Sequence, residues 1–280
     1  MVSEFCVISY LLLNDIVVDI LNMINVYKIG GNVINDPEEL KKFLKDFSKL
    51  PGKKILVHGG GREATEFGKK IGLETKMIDG RRVTDHETLD VVTMVYAGLI
   101  NKRIVSMLQD VDCDAVGLTG ADGNVIPARK RSPYPVDFGY VGDIDSDDIN
   151  ISFIKLLLAN GYVPVFCALC RNPEGGLLNC NADSIANAVA VACAKEEPTT
   201  LTYCFEKDGV LTDVNDNCSV LPLVTPDMFE DLVESGKISG GMIPKVSNAL
   251  KAVESGVSSV RICHSGKVGE NGGTLIRKSM

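Results

Sequence analysis

The sequence lacks an excess of positive charge: 29 Lys and Arg stand against 37 Asp and Glu, a net charge of −8. Nucleic-acid binding needs a basic face that releases counterions from phosphates, so the balance argues against it. A bilayer-spanning run is lacking at the apolar N-terminus, where the longest uncharged stretch, Phe5 to Asn14, falls short of the ~20 residues a span requires. The same segment has no basic n-region and no small-residue cleavage site, and so makes a poor signal peptide. No membrane partner is expected. The P-loop pattern GxxxxGK[ST] is absent, as is a GxGxxG between a strand and a helix. That excludes a P-loop NTPase and a Rossmann dehydrogenase. Internal repeats and low-complexity linkers are missing too. The cysteines number nine, an odd count at irregular spacing, which fits free thiols in a reducing cytoplasm. Cys167 and Cys170 have CxxC spacing but no second pair and no nearby histidine, and read as small buried hydrophobes; no metal site is expected.

What is there is ordinary globular composition, 45% hydrophobic and 24% charged, in a pattern that alternates strand and helix. NVYKIGGNVI and KKILVHGGG are strands running into glycines. PEELKKFLKDFSKL has helical periodicity behind Pro37. HETLDVVTMVYAGLINKRIVSMLQ is a long helix or a helix pair. NADSIANAVAVACA is an Ala-rich helix opened by Asn181 and Asp183, and IPKVSNALKAVESG a helix beginning at Pro244. Strands separated by helices predict an α/β fold with a mainly parallel sheet covered on both faces, which binds ligands at the carboxyl ends of its strands. Residues 1–24 read either as an extra amphipathic helix, suited to a subunit interface, or as a misassigned start with translation beginning at Met23. The glycine turn NPEGG at 172–176 is the expected boundary between lobes 25–175 and 176–280.

Five motifs carry chemistry. Lys28-Ile29-Gly30-Gly31 places an ammonium beside paired glycines that let backbone approach an anion; a plain glycine turn with a surface lysine has the same appearance. Gly59, Gly60 and Gly61, between His58 and Arg62, open a helix whose N–H groups can bind an anion without a charged side chain. His58 itself reads as a local hydrogen-bonding group rather than a base. Gly80-Arg81-Arg82-Val83-Thr84-Asp85 offers a guanidinium fork that matches a carboxylate. Asn179-Cys180-Asn181-Ala182-Asp183 sets two amides and a carboxylate at a helix start, more than capping alone needs. Gly240-Gly241-Met242-Ile243-Pro244-Lys245 puts a lysine in a first helical turn, where the helix dipole disfavours it unless a phosphate is bound.

In this order the motifs resemble the amino acid kinase family, and most closely its branch acting on N-acylated glutamate. The resemblance runs from about residue 25 to the end and implies a three-layer αβα sandwich with a mainly parallel central sheet. It implies ATP-dependent phosphorylation of the side-chain carboxylate of N-acetyl-L-glutamate in arginine biosynthesis, with Mg²⁺ held mainly by the nucleotide phosphates. It implies roles as well: Lys28 and Lys245 at the transferring phosphoryl group and the nucleotide phosphates, Asp183 organising the lysines, and Gly30 and Gly31 giving N–H groups to the nucleotide. Gly60, Gly61, Arg82 and Asn179 would hold the substrate, with ATP on the C-terminal lobe and the amino acid on the N-terminal one. A cytoplasmic homodimer or higher homo-oligomer is expected. Other members of the family, such as glutamate 5-kinase or aspartokinase, and a non-catalytic ligand sensor on the same fold are the competing readings. Arg62, where many relatives have proline, and Arg81 are extra cations beside the substrate loops and are candidates for selecting an N-succinyl over an N-acetyl group. Loss of N-succinylglutamate turnover in Arg62→Ala or Arg81→Ala, with N-acetylglutamate turnover intact, is the outcome that identifies which one selects.

Overall fold

A computed structural model describes residues 22–279 except 79, 214–215, 217–218, 239–241 and 271. The extension at 1–24 therefore lies outside the described residues up to position 21, as do Gly240 and Gly241 of the fifth motif.

The chain opens with β1 (Ile24–Ile29), whose isoleucines, valine and tyrosine suit a pleated buried surface. Gly30 leads into the short α1 (Gly31–Asn35). Asp36 then caps α2 (Pro37–Ser48), accepting from the N–H groups of Glu38 and Glu39. β2 (Lys53–His58) ends in the triple glycine, which opens α3 (Gly61–Lys70). A hairpin of β3 (Met77–Ile78) and β4 (Arg81–Arg82) precedes the continuous 24-residue helix α4 (His86–Gln109). Length and composition would allow α4 to cross a membrane. In the fold it is a core helix, burying Val91, Val92, Val95, Tyr96, Ile100, Ile104 and Leu108. Its middle, Met94–Ile100, is π-helical, so of the two expectations, a long helix or a helix pair, the first holds, with a widened turn at its centre.

After α4 come β5 (Ala115–Leu118), the hairpin β6 (Arg129–Lys130) and β7 (Gly142–Asp143), α5 (Ile151–Ala159) and β8 (Val163–Phe166). β9 (Leu169–Arg171) and β10 (Leu177–Asn179) pair antiparallel. α6 (Ala182–Ala194) follows, capped by Asn181 through the N–H groups of Asp183 and Ser184. β11 (Thr199–Phe205), β12 (Leu223–Val224), α7 (Pro226–Glu234), α8 (Met242–Glu254), β13 (Ser259–His264) and β14 (Thr274–Ile276) complete the described chain. α8 begins two residues before Pro244 rather than at it. The first turn's N–H groups have no helical acceptor, so proline is tolerated there.

Eight strands form one sheet in the order β12-β14-β13-β11-β1-β2-β8-β5, parallel throughout except where β13 meets β14. Alternation along β1 sends Tyr27 to one helical layer, edge-on to Phe47 at 5.3 Å, and Lys28 to the other, against Asp183. The three-layer αβα sandwich follows. The predicted boundary at 172–176 is the turn of the β9–β10 hairpin, closed by bonds between Asn172 and Gly175 and between Asn172 and Gly176. The sheet continues unbroken past it, and β1, β2, β5 and β8 form one half while β11 to β14 form the other.

Tight backbone approaches hold the strand ends in place. Gly120, just after β5, donates to the Leu169 carbonyl at 2.7 Å, and a Cβ there would lie 2.6 Å from the Ile126 carbonyl oxygen and 2.9 Å from Cys170 Cα. Backbone on both sides cannot yield cheaply. Gly120→Ala is expected to lower stability by about 1–3 kcal/mol, read as a shift in the urea midpoint with unchanged slope.

Candidate active site

At the carboxyl ends of β1 and β2 lies a cleft of about 500 Å³. β1 delivers Lys28 and then Gly31; β2 delivers Gly59, Gly60 and Gly61; β4 delivers Arg81 and Arg82; β10 and the start of α6 deliver Asn179 and Asp183; α8 delivers Lys245. Nine of the predicted site residues thus line a single cavity, although they span more than two hundred positions in sequence. Gly30 sits at its edge, where an added Cβ would be 3.8 Å from Lys28 Nζ. Arg62 does not line the cleft: it is exposed on α3 and paired with Glu66 at 3.0 Å, one turn along the helix.

Lys28 Nζ lies 2.7 Å from Asp183 Oδ1, with both side chains half-buried or better. Lys245 Nζ stands 4.5 Å from the centroid of Phe205, at the end of β11. An aromatic face attracts an ammonium electrostatically without consuming a hydrogen-bond donor. Arg82 is fixed by three bonds: Nη2 donates to the Gly61 carbonyl at 2.6 Å and to Thr65 Oγ1 at 2.7 Å, and Nη1 to Thr75 Oγ1 at 3.0 Å. The Tyr96 hydroxyl bonds to the same guanidinium, and the donors that these contacts leave free are what a ligand can meet. Arg81 is the exposed partner of that strand pair and lines the cleft too, so both arginines face it.

Asn179 is buried and donates from Nδ2 to the hydroxyl of fully buried Thr84 at 3.0 Å, which leaves its Oδ1 for a ligand N–H. Thr84 is held in turn by backbone bonds to Phe138 and Tyr140. Gly139 (φ +73°) passes so close that a Cβ would be 2.2 Å from the Thr84 carbonyl oxygen, a place only glycine can occupy.

Sequence reasoning missed Tyr96 and Arg131, both in the cleft lining. Tyr96 has no local mark to set it apart within its helix, and Arg131 none within the basic stretch Ala128-Arg129-Lys130-Arg131. Arg131 is bidentate to Asp143 from β7, with both Nε contacts at 3.1 Å, and that carboxylate raises its affinity for protons. Only contact across the hairpin sets it in the cleft, and no local signal in the sequence could have found it. The cysteines of the CxxC pair are buried and free, and burial pushes the Cys167 thiol up to about 12.

The cleft is lined by five cationic side chains (Lys28, Arg81, Arg82, Arg131 and Lys245) against one carboxylate, Asp183, among the described residues. In a chain of net charge −8 that is a strong local reversal. Two glycine turns add backbone N–H groups, and the N-terminal end of the α6 dipole adds positive potential. Such an arrangement binds and stabilises a cluster of negative oxygens.

Behind the second glycine turn His58 is fully buried, and burial lowers its pKa from 6.5 to about 4. The neutral ring is therefore favoured by folding. Between pH 6.5 and pH 4 the unfolded chain takes up a proton that the folded chain does not, so stability is fully present above pH 6.5 and is lost as pH falls through that window. The loss amounts to roughly 3 kcal/mol. In urea titrations at pH 7 and pH 4, wild type is expected to lose more stability than His58→Asn by about that amount; equal losses would exclude His58 as the source.

A family model described as the amino acid kinase family matches residues 23–264. The acetylglutamate kinase of Phocaeicola vulgatus is 48% identical over 255 residues, covering 91% of this chain and 98% of that protein. The acetylglutamate kinase of Bacteroides thetaiotaomicron is 47% identical over 255 residues, with the same coverage of each. In fold, the chain is similar to a Neisseria gonorrhoeae N-acetylglutamate synthase solved with coenzyme A and N-acetyl-glutamate. The TM-score is 0.78 at 22% identity, over 94% of this chain and 61% of that one.

Proposed function

The chain belongs to the amino acid kinase family, and on that footing we propose that it transfers the γ-phosphoryl group of ATP to the side-chain carboxylate of N-acetyl-L-glutamate, giving an acyl phosphate in arginine biosynthesis. The observation that carries this reading is the convergence of Lys28, Lys245 and Arg82 with two glycine turns on one cleft. Full-length similarity to acetylglutamate kinases supports the substrate.

The chemistry asks for what the cleft holds. A carboxylate is already deprotonated at neutral pH, so no general base is needed. The obstacle is bringing one anion against another, and positioning with electrostatic stabilisation removes it. In this reading Arg82 grips the substrate α-carboxylate, Asn179 Oδ1 accepts the amide N–H of the acylated nitrogen, and Gly60 and Gly61 meet the reacting carboxylate. Lys28 and Lys245 neutralise charge building on the transferring group from its two sides. Asp183, ion-paired with Lys28 at 2.7 Å, fixes where that ammonium points. Gly30 and Gly31 offer N–H groups to the nucleotide phosphates. The half of the sheet from β11 to β14 takes ATP, and the other half takes the amino acid.

Mg²⁺ fits this site only as a companion of the nucleotide. The one lining carboxylate is already engaged with Lys28, and the described residues include no cluster of three His, Cys, Asp or Glu able to hold a metal. Bound through the phosphates, the ion would neutralise their charge. Exposed Met94 and Leu99 on the outer side of α4 suit a contact between copies, in keeping with a homo-oligomer, and the buried free thiols among the described residues suit a reducing cytoplasm.

Lys245→Ala is expected to lower kcat by about 10²–10³ with N-acetylglutamate, and Arg82→Lys to raise KM for that substrate while leaving KM for ATP unchanged. A steady-state panel over N-acetylglutamate, free glutamate and aspartate decides the substrate; preferential turnover of an unacylated amino acid overturns the reading. A second substrate, N-succinyl-L-glutamate, is favoured by one observation: Arg81 and Arg131 line the cleft beyond the Arg82 clamp. If it is used, Arg81→Ala lowers its kcat/KM by about tenfold without affecting N-acetylglutamate, and Arg62→Ala affects neither. A preference for N-acetylglutamate that survives Arg81→Ala unchanged removes the succinyl reading.

A further inference from the structure

We infer that His58 and Asn101 are positioning residues of this site: together they lock the Gly59–Gly60 peptide so that the Gly60 N–H faces the cleft as a donor to the reacting oxygens. The inference rests on the kinase reading above and adds two residues that do not themselves line the cleft.

His58 Nδ1 lies 2.8 Å from the Gly59 carbonyl oxygen, and Nε2 lies 3.0 Å from Asn101 Nδ2. Which way the Asn101 amide points is fixed by its other neighbours. Nδ2 also donates to the Val165 carbonyl at 2.9 Å, and Oδ1 accepts from Lys102 Nζ at 3.2 Å. Turned over, the amide would set oxygen against a carbonyl and NH₂ against an ammonium. An NH₂ group can only donate, so Nε2 accepts, and the ring proton must sit on Nδ1. Nδ1–H then donates to the Gly59 carbonyl.

In a trans peptide the C=O and the following N–H point to opposite sides. With the Gly59 carbonyl drawn back to the imidazole, the Gly60 N–H is turned toward the cleft that Gly60 lines. It has no acceptor among the described residues. On its other side Gly60 is pressed by α4: a Cβ would fall 2.3 Å from Ile100 Cδ1 and 2.9 Å from Tyr96 Cδ1. The π-helical run explains how one helix reaches both places. The Asn101 N–H bonds back to the Tyr96 carbonyl, the i→i+5 bond of a π-helix, and this sets the two residues closer in phase than the about 140° that a regular α-helix would put between them. The widened turn therefore brings ring, alkyl and amide groups to the glycine loop at once.

The test has two arms. ¹⁵N chemical shifts of the His58 ring in the wild-type protein report the tautomer at pH 7 and need no variant to fold. Nδ1–H is expected, and Nε2–H overturns the inference. The second arm compares His58→Asn, whose amide nitrogen takes the place of Nδ1, with His58→Gln, whose amide reaches only the place of Nε2. His58→Asn is expected to keep kcat within about fivefold of wild type, and His58→Gln to lose about 30-fold or more, with KM for ATP unchanged in both. A packing role predicts the reverse order, because Gln is closer to His in size. If kcat follows melting temperature rather than the donor at Nδ1, the inference fails. If wild type turns over neither N-acetyl- nor N-succinylglutamate, the kinase reading fails and the catalytic role falls with it. Wild-type turnover combined with an Nε2–H tautomer overturns this inference alone.

Discussion

The two glycine turns stand beside each other because β1 and β2 pair in parallel and in register, Lys28 opposite Val57 and Ile29 opposite His58. On its other edge β1 pairs with β11 in the same sense, Ile29 opposite Cys204. Parallel pairing sends every strand out of the sheet on the same side, so both glycine turns and Phe205 beneath Lys245 emerge together. A slip of one residue along β1 would turn Lys28 toward Phe47 and Tyr27 toward Asp183, and the site would vanish. Burial of Val26, Ile29, Ile55, Leu56 and Val57 on two covered faces holds that register.

The electrostatics follow from where the helices begin. α1, α3 and α6 all start at the cleft, and their dipoles add positive potential to the cationic side chains; α1 and α3 start at glycines with no side-chain cap, whereas Asn181 caps α6. Asp183 tempers this. Placed in the first turn of α6, it is favoured by the same dipole that favours a phosphate, and it holds Lys28 at 2.7 Å. The remaining acids of an acidic chain lie elsewhere: Asp143 and Glu66, for example, hold Arg131 and Arg62.

Rigidity around the glycine turns is as much a part of the site as the charges. Glycines permit close approach of a ligand but cost order, and here packing restores it: Tyr96 and Ile100 press on Gly60, Arg82 ties down the Gly61 carbonyl, and His58 the Gly59 carbonyl. Thr84 serves Asn179 in the same way from the opposite wall. Each anchor is itself buried or doubly bonded, so the donors are set before a ligand arrives.

Much of this was legible in the residues taken one after another. Alternation of apolar strands with amphipathic helices predicts the α/β fold, because burial on two faces dictates that pattern locally. Glycines after KI and LVH, Asn181 as a cap, and lysines where the backbone opens mark the functional loops for the same local reason. What sequence could not decide depends on contacts between distant segments. Arg81 and Arg62 looked equivalent beside the substrate loops, yet Arg81 comes from a hairpin that closes over the cleft while Arg62 turns along α3 to Glu66. That NPEGG forms the turn of a hairpin was not legible either, since glycine-rich turns have one local signature whether or not strands pair around them. His58 read only as a local hydrogen-bonding group, and Asn101 and Tyr96 gave no signal. Their meeting requires a π turn and the docking of α4 on β2, and a helix's phase relative to a sheet is fixed by packing, not by the order of its residues.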